Sequence, residues 1–337
     1  MKRYILPKTG AISDLTPDEC ATPQPGRGQV LVRMKAASLN YRDLMIVQGR
    51  YARGGVAANR VPLSDGAGEV VEIGDEVSEW QVGDRVAGLF MQDWLGGEVD
   101  ARYGASAMGG AIDGALTEYR VFDAHGLVRL PEHFSFEQGA TLPCAAVTAW
   151  NALYAGQHPL KSGDSVLLLG TGGVSIFALQ LARAAGARII QTSSSDDKLE
   201  RARELGADDT INYRQHPEWQ EEVQRLTGGR GVDHVVEVGG AGTLPRSLAS
   251  SRVGGAVNLI GVLTGGEIDP SLIMRRSVIL RGIYVGSREM FEAMNRTLEL
   301  HRIEPVIDRT FAFDEARAAF EHLESQRHLG KVVIRID

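Results

Sequence analysis

The segment Gly170-Thr-Gly-Gly-Val-Ser175 has the residue types that let a backbone approach a phosphate. It follows the short apolar run 165–169 and leads into a helical pattern over 176–185, so a strand would end in Gly-x-Gly and turn directly into a helix. There the backbone N–H groups and the helix N-terminus face an anion with no side chain in the way, which is how a dinucleotide pyrophosphate is held. Gly170 would make the turn and Gly172 would admit the phosphate, with Gly173 and Val174 opening the helix. Ser175 stands where the pattern prefers Gly or Ala for close packing, an imperfect match by a residue that is still small.

A second cluster follows the next strand. A carboxylate at its end would bond a ribose 2′-hydroxyl and repel a 2′-phosphate. That place is Ser193, in Thr192-Ser-Ser-Ser-Asp-Asp-Lys198. Ser193, Ser194 and Lys198 offer hydroxyls and a cation, and Tyr213 with Arg214 could close over the adenosine phosphate, which favours NADP(H), with NAD(H) as the alternative. The competing reading is that Ser195 and Asp196 only cap the following helix, with Lys198 on its exposed face. Metal chemistry finds less support. The chain has two cysteines, Cys20 and Cys144, and none of its eight histidines falls in a His-x-x-x-His or Cys-x-x-His spacing.

These residues need elements to position them. Strands at 165–169, 187–192, 210–211, 232–238, 256–260 and 278–285 alternate with helices at 176–185, 196–205 and 218–226. Apolar strands separated by helices of about ten residues call for a parallel sheet covered on both faces. Before them, 28–38, 66–74 and 80–86 read as strands of a β-rich lobe, with a short helix at 41–47. The stretch 90–114 is long for a loop and carries Met91, Trp94, Tyr103 and Met108. It is either a pocket wall or an excursion packed by its own side chains. Helices at 288–301 and 314–325 and a strand at 331–335 complete the chain, so the fold class is α/β, a doubly wound parallel sheet plus a β-rich domain.

At 337 residues, 43% apolar and 23% charged, the chain has room for two domains and a real core. A net charge of -7 without a basic block argues against a nucleic-acid partner. No apolar run suggests a signal peptide or a membrane span, and cysteine usage makes the cytoplasm the expected compartment.

Taken together, Gly66-Ala-Gly-Glu-Val-Val71, Val82-Gly-Asp-Arg-Val86, Leu142-Pro-Cys-Ala-Ala-Val-Thr-Ala-Trp150, Gly170-Thr-Gly-Gly-Val174 and Gly228-Gly-Arg-Gly-Val-Asp233 resemble the medium-chain dehydrogenase/reductase superfamily, end to end. The resemblance implies a chaperonin-10-like (GroES-like) catalytic domain from both chain ends, 1–144 with 287–337, around a Rossmann domain at 145–286. It implies a homodimer through the Rossmann edge strand at 278–285, and nicotinamide contacts from Thr148 and the backbones of Ile260, Gly261, Val262 and Ile283, Tyr284, Val285. Glu237 could accept a ribose hydroxyl or anchor its own loop.

Zinc-dependent members of that superfamily hold the metal with Cys, His and a second Cys or acid. Here Asn40 stands at the first Cys, Leu63-Ser-Asp65 replaces Gly-His-Glu, Arg42 takes the place of the relay hydroxyl, and only Cys144 matches a ligand. One thiol cannot make a three-ligand site, so no zinc is expected. The remainder resembles the zinc-free quinone oxidoreductases and 2-enoyl thioester reductases, whose Asn-x-x-Asp and Gly-x-Tyr motifs match Asn40-Tyr-Arg-Asp43 and Gly49-Arg-Tyr51. The resemblance makes Tyr51 and Asn40 the catalytic candidates, and Tyr41 and Trp94 are substrate walls. A phenol is protonated at neutral pH and suited to donate to a developing enolate. The expected activity is hydride transfer between NADP(H) and a small quinone, enone or aldehyde. The alternatives are oxidation of a secondary alcohol and a non-catalytic NADPH-binding protein.

Overall fold

In the computed structural model, which describes residues 1–51 and 55–337, the chain opens as an antiparallel hairpin of β1 (Lys2–Ile5) and β2 (Thr16–Glu19). It continues through β3 (Gln29–Leu39), α1 (Tyr41–Val47), β4 (Asp65–Ile73), β5 (Arg85–Gly88), β6 (Tyr119–Asp123), β7 (Leu127–Arg129) and α2 (Phe136–Ala140). A second series comprises α3 (Val147–Tyr154), β8 (Ser165–Leu168), α4 (Gly173–Ala184), β9 (Arg188–Ser193), α5 (Asp196–Glu204), β10 (Asp209–Asn212), α6 (Trp219–Leu226), β11 (Val232–Glu237), α7 (Leu244–Ser250), β12 (Ser251–Leu259), α8 (Ser271–Arg275) and β13 (Ile279–Gly282). The chain ends with α9 (Arg288–Leu300), β14 (Ile307–Phe311), α10 (Ala316–Glu324) and β15 (Lys331–Arg335). These elements divide into one unit of Met1–Val147 with Gly286–Asp337 and another of Thr148–Val285, against expected boundaries at 144/145 and 286/287.

The first unit is a seven-stranded sheet in the order β14-β15-β3-β4-β5-β7, with β6 also paired to β3. Strands from both chain ends therefore share one sheet. Its core joins Val30, Val32, Met34 and Leu39 of β3 to Leu44 of α1, Val70 of β4 and Phe122 of β6. From α10 come Ala316, Ala319, Phe320 and Leu323, the i, i+3, i+4, i+7 stripe of a helix that buries one face. The expected strand at 80–86 is shorter than anticipated. Asp84 Oδ2 accepts the Gln81 N–H at 2.8 Å and closes a turn, Trp80 is buried with its indole N–H on the Ala124 carbonyl at 2.8 Å, and β5 starts only at Arg85.

The second unit is an all-parallel sheet in the order β10-β9-β8-β11-β12-β13. Its central strands are apolar on both sides, with Val166, Leu167, Leu168, Ile189, Ile190, Val235, Val236 and Val257 all buried. The order reverses between β8 and β11, the crevice where doubly wound sheets take their ligands. The expected strand at 278–285 stops at Gly282. Beyond it Val285 lies at φ +56°, a left-handed conformation that a β-branched residue adopts only under outside constraint.

At the opposite, amino edge of this sheet, Asp233 of β11 is buried. It accepts the Ser165 N–H and hydroxyl at 2.9 Å each, Arg230 Nη2 at 2.7 Å and Arg252 Nε at 2.5 Å. The Gly228–Asp233 motif is thus a strand anchor. Desolvation pushes this carboxyl up, but the hydrogen bonds from Arg230, Ser165 and Arg252 outweigh it and hold the group well below the usual carboxylate range. Asp233→Asn should cost about 2–4 kcal/mol of unfolding free energy at pH 7. Because the native pKa is depressed, the wild type's margin should shrink as pH falls below about 4, which urea titrations at several pH values would measure.

Candidate functional site

Every strand of the second unit ends on one edge, and there the sequence-predicted groups meet. Gly170 follows β8 at φ +66°, and Gly172 is the N-cap of α4 with no side-chain cap bond. A Cβ at either glycine would enter open space, so the residues leave a hollow over the first turn of α4 rather than filling a crowded turn. The neighbouring strand fixes the loop: Gly170 N–H donates to Thr192 Oγ1 at 3.3 Å, and Gln191 Nε2 donates to the carbonyls of Leu168, at 3.2 Å, and Gly170. Ser175, the imperfect fingerprint position, is buried and donates to the Leu169 carbonyl at 2.6 Å. Its hydroxyl secures the helix-strand contact that a bare Gly or Ala makes by size. These residues fit a dinucleotide pyrophosphate.

At the end of β9, Ser193 pairs in register with Asn212 of β10, and the Tyr213 N–H donates to the Ser193 carbonyl at 3.0 Å. Tyr213 is 40% exposed there, whereas Ser193 is buried and its Oγ accepts the Ser195 N–H at 3.3 Å; Ser194 follows β9 directly and Lys198 stands in the first turn of α5. Ser195 does cap α5, accepting the Lys198 N–H at 3.4 Å. Asp196 accepts Asn212 Nδ2 at 2.7 Å and Gln215 Nε2 at 3.0 Å, so this carboxylate is engaged by the end of β10 and the turn after it.

Two further loops share the edge. Ile260 and Gly261 donate their N–H groups to the Glu237 carbonyl at 2.8 and 3.1 Å, and Val262 beyond them is 68% exposed. The Glu237 carboxylate is buried and occupied by the N–H groups of Gly239 and Gly240, at 2.7 and 3.0 Å, by Thr243 and by Ser247. Of its two expected roles, loop anchoring is the one these contacts describe. Ile283 leaves the sheet buried and Tyr284 is 44% exposed. Asn151, on the same helix as the buried Thr148, donates to the Val285 carbonyl at 2.7 Å and accepts Arg281 Nη2 at 2.6 Å. Sequence reading missed this Arg281–Asn151 clamp, which supplies the constraint that the φ of Val285 requires.

In the first unit, antiparallel register assembles a polar cluster. Val332 of β15 pairs with Leu39 of β3, which sets Lys331 beside Asn40, and Ser38 pairs with Asp65 of β4. Lys331 Nζ donates to Asn40 Oδ1 at 2.6 Å and to the Leu39 carbonyl at 2.8 Å, and lies 3.6 Å from Asp65 Oδ2. Asn40 Nδ2 donates to Ser64 Oγ at 3.3 Å, Ser64 Oγ donates to Asp65 Oδ1 at 2.9 Å, and Asp43 accepts the N–H groups of Asn40 and Ser64 at 2.8 and 3.3 Å. Leu63, at φ +70°, turns the chain so that Ser64 and Asp65 enter this cluster, a conformation that costs about 1–2 kcal/mol. Gly114 packs on that turn, where a Cβ would lie 2.2 Å from the carbonyls of Pro62 and Leu63.

Arg42 spans the next layer. Its Nη1 donates to the Met108 carbonyl at 2.8 Å and lies 4.0 Å from Asp43, while the guanidinium sits over the rings of Phe90 and Tyr51 at 4.5 and 4.9 Å. Tyr51 and Tyr41 are half-buried against the core. Trp94 departs from its expected role as a substrate wall. It is 3% exposed, stacked on Tyr103 at 6.0 Å, with its indole N–H on the Gly97 carbonyl at 3.2 Å. At this residue the 90–114 stretch is packed by its own side chains. Asn40, expected as catalytic, has both ends of its amide engaged within the cluster.

These residues do not fit a zinc ion. Among the described residues no group of three or more His, Cys, Asp or Glu is placed to hold a metal. Asn40 and Ser64 are hydrogen-bonded to each other and to charged neighbours. The Cys144 thiol, which keeps some exposed surface, is pushed up by desolvation and then by Asp65, and a single thiol makes no three-ligand site. Asp43 is pushed up to about 6, first by burial and further by Asp65, with Arg42, the Asn40 N–H and Lys331 opposing. The native state therefore holds this proton to higher pH than the unfolded chain, and wild-type stability should fall as pH rises from about 4 to about 6. Asp43→Asn should lack that slope. Its urea midpoint relative to wild type should climb across the interval and level off above it, whereas parallel profiles would contradict the assignment.

Two family models match the chain: the alcohol dehydrogenase GroES-like domain over residues 26–132 and the zinc-binding dehydrogenase domain over 173–299. A zinc-type alcohol dehydrogenase-like protein of Schizosaccharomyces pombe is 45% identical over 99% of this chain and 99% of its own length. The quinone oxidoreductase of Homo sapiens is 27% identical over 94% of this chain and 92% of its own. The crystal structure of a putative alcohol dehydrogenase from Sinorhizobium meliloti 1021 superposes with a TM-score of 0.90 at 36% identity, covering 99% of this chain and 98% of that one. With its GroES-like and Rossmann units and the glycine loop at the carboxyl edge of its parallel sheet, the chain belongs to the medium-chain dehydrogenase/reductase superfamily and is a nicotinamide-dependent oxidoreductase of that family.

Proposed function

We propose that the protein is an NADP(H)-dependent, zinc-independent reductase of small acceptors with an activated C=C or C=O bond, of the quinone, enone or aldehyde class. The observation that carries the cofactor choice is the end of β9, where Ser193 stands in place of a carboxylate, Ser194 follows it, and Tyr213, held to Ser193 through its N–H, is exposed, with Lys198 in the first turn of α5. Gly170, Gly172, Gly173 and Val174 would hold the pyrophosphate. Thr148 and the backbones of 260–262 and 283–285 would orient the nicotinamide carboxamide. When bound, the nicotinamide supplies the hydride equivalent.

The protein's own task is then to place the acceptor and furnish a proton or hydrogen bond. Tyr51 is the group we assign to it: a phenol whose ring is fixed by Arg42, in a unit whose other candidate, Asn40, is already spent. The donor set around Asn40, Ser64 and Cys144 supports a reaction without Lewis-acid activation. The S. pombe and S. meliloti proteins carry alcohol dehydrogenase in their names, which keeps oxidation of a secondary alcohol as the second reading. A homodimer formed by adding a partner strand to β13, one of the two edge strands of the parallel sheet, and a cytoplasmic location belong to the same proposal. No helix among the described residues is long and apolar enough to cross a membrane.

NADPH oxidation should be observed with quinones, enones or aldehydes, should be unchanged by EDTA, and should be weaker with NADH. Chelator-sensitive alcohol oxidation would replace this reading with the second. Gly172→Asp, which sets a carboxylate against the pyrophosphate, should abolish the NADPH-dependent fluorescence change; unchanged affinity would contradict the cradle. Tyr51→Phe should lower kcat about a hundredfold or more while leaving NADPH binding intact. A variant with wild-type turnover would remove Tyr51 from the chemistry.

A further inference from the structure

Around Asn40 the buried charges balance only when Lys331 is counted. Asp43 and Asp65 are both buried, and Arg42, stacked on two rings, reaches only Asp43, at 4.0 Å. The remaining carboxylate, Asp65, has an Oδ2 that accepts no hydrogen bond and faces the Lys331 ammonium at 3.6 Å. Lys331 is 3% exposed, and an ammonium so far from water persists only where oxygen ligands replace its hydration. It has two by hydrogen bond, Asn40 Oδ1 and the Leu39 carbonyl, and the Asp65 carboxylate as its ion-pair partner. Asn40, its shortest contact, stands at the position where zinc-dependent relatives carry a metal-ligating cysteine.

We propose that Lys331 is the resident cation of this cluster, taking the electrostatic place of a divalent metal and making the pocket refuse one. A tethered ammonium neutralises Asp65, holds the Asn40 amide with its oxygen toward β15, and leaves no charge for a metal to compensate. It carries one charge instead of two and presents no open coordination position, so it is a positioning residue and does not polarise an acceptor. The inference deepens the zinc-independent reading of the same residues, and the two fail on different results.

Wild-type protein incubated with excess zinc and desalted should retain far less than one zinc per chain by elemental analysis, with a Tm indifferent to zinc and EDTA. Lys331→Met keeps the length and apolar stem but removes the charge, and should lower Tm by roughly 6–12 °C, as expected when one partner of a buried ion pair is lost. Adding Asp65→Asn should return part of that loss, because the carboxylate left unpaired goes with its cation. A side chain that served only to fill space would give additive losses instead. A wild-type Tm in Lys331→Met, or additive losses in the double variant, would overturn the proposal while leaving zinc independence standing. Stoichiometric zinc with a rise in Tm would overturn both. Should Lys331→Met fail to fold, a double variant that folds supports the charge pairing, and one that fails equally refutes it.

Discussion

Six strands running in the same direction impose one constraint on the second unit: all their carboxyl ends, and the loops that leave them, lie on a single edge. At that edge the backbone has unsatisfied N–H groups at the start of α4, side chains from β9 that brace the glycine loop, and two neighbouring loops after β12 and β13. The amino edge has the opposite character. There Asp233 ties β11 to the first residue of β8 and to Arg252 of β12, closing the sheet instead of opening it. The site is therefore a consequence of topology, and sequence has only to keep the carboxyl edge free of bulky side chains. Gly170 and Gly172 do this directly. Glu237 does it indirectly, since a carboxylate with four partners fixes the loop after β11 without reaching beyond it.

The first unit reaches its polar cluster by a different route. Register of three adjacent strands sets Lys331 and Asp65 beside Asn40, the residue that follows β3, and the strained turn at Leu63 directs Ser64 and Asp65 inward. Burying two acids and two bases is expensive, and ion pairs of this kind are weak evidence for stability. Their value here lies in specifying orientation. The Asn40 amide has one assignment compatible with its neighbours, because Lys331 can only donate and the Ser64 hydroxyl already donates to Asp65.

The parts of this arrangement that were legible in sequence are the local ones. Glycine spacing between a strand and a helix, the absence of an acid at 193, and the apolar runs of a parallel sheet all depend on residues close together in the chain. Ser175 showed that a mismatch to a pattern can serve the same end by another bond. What escaped were pairings set by tertiary register. Lys331 and Asn40 are separated by 291 positions. The only local signal was a lone lysine at the head of Lys331-Val-Val-Ile334, a charge where an apolar strand begins, which is a reason to look for a buried partner. Trp94 and Val285 were misjudged for a related reason: composition names a large aromatic or a β-branched strand residue, but not the Tyr103 ring or the Asn151 amide that decides its conformation.

The saturation of the cluster also narrows which group can act on an acceptor. Asn40, Asp43, Ser64 and Lys331 are all bonded inward, and a group whose donors and acceptors are already matched gains nothing in a transition state. Tyr51 lies at the outer end of the same chain of contacts. The cluster holds Asp43; Asp43 and the Met108 carbonyl flank the Arg42 guanidinium; and the guanidinium lies across the Tyr51 ring with Phe90 on its other contact. A ring fixed in this way is oriented before any ligand arrives, so the entropy of placing it is lost on folding. The buried charges thus reach the Tyr51 ring through geometry, with Arg42, flanked by Asp43 and the Met108 carbonyl, setting its angle.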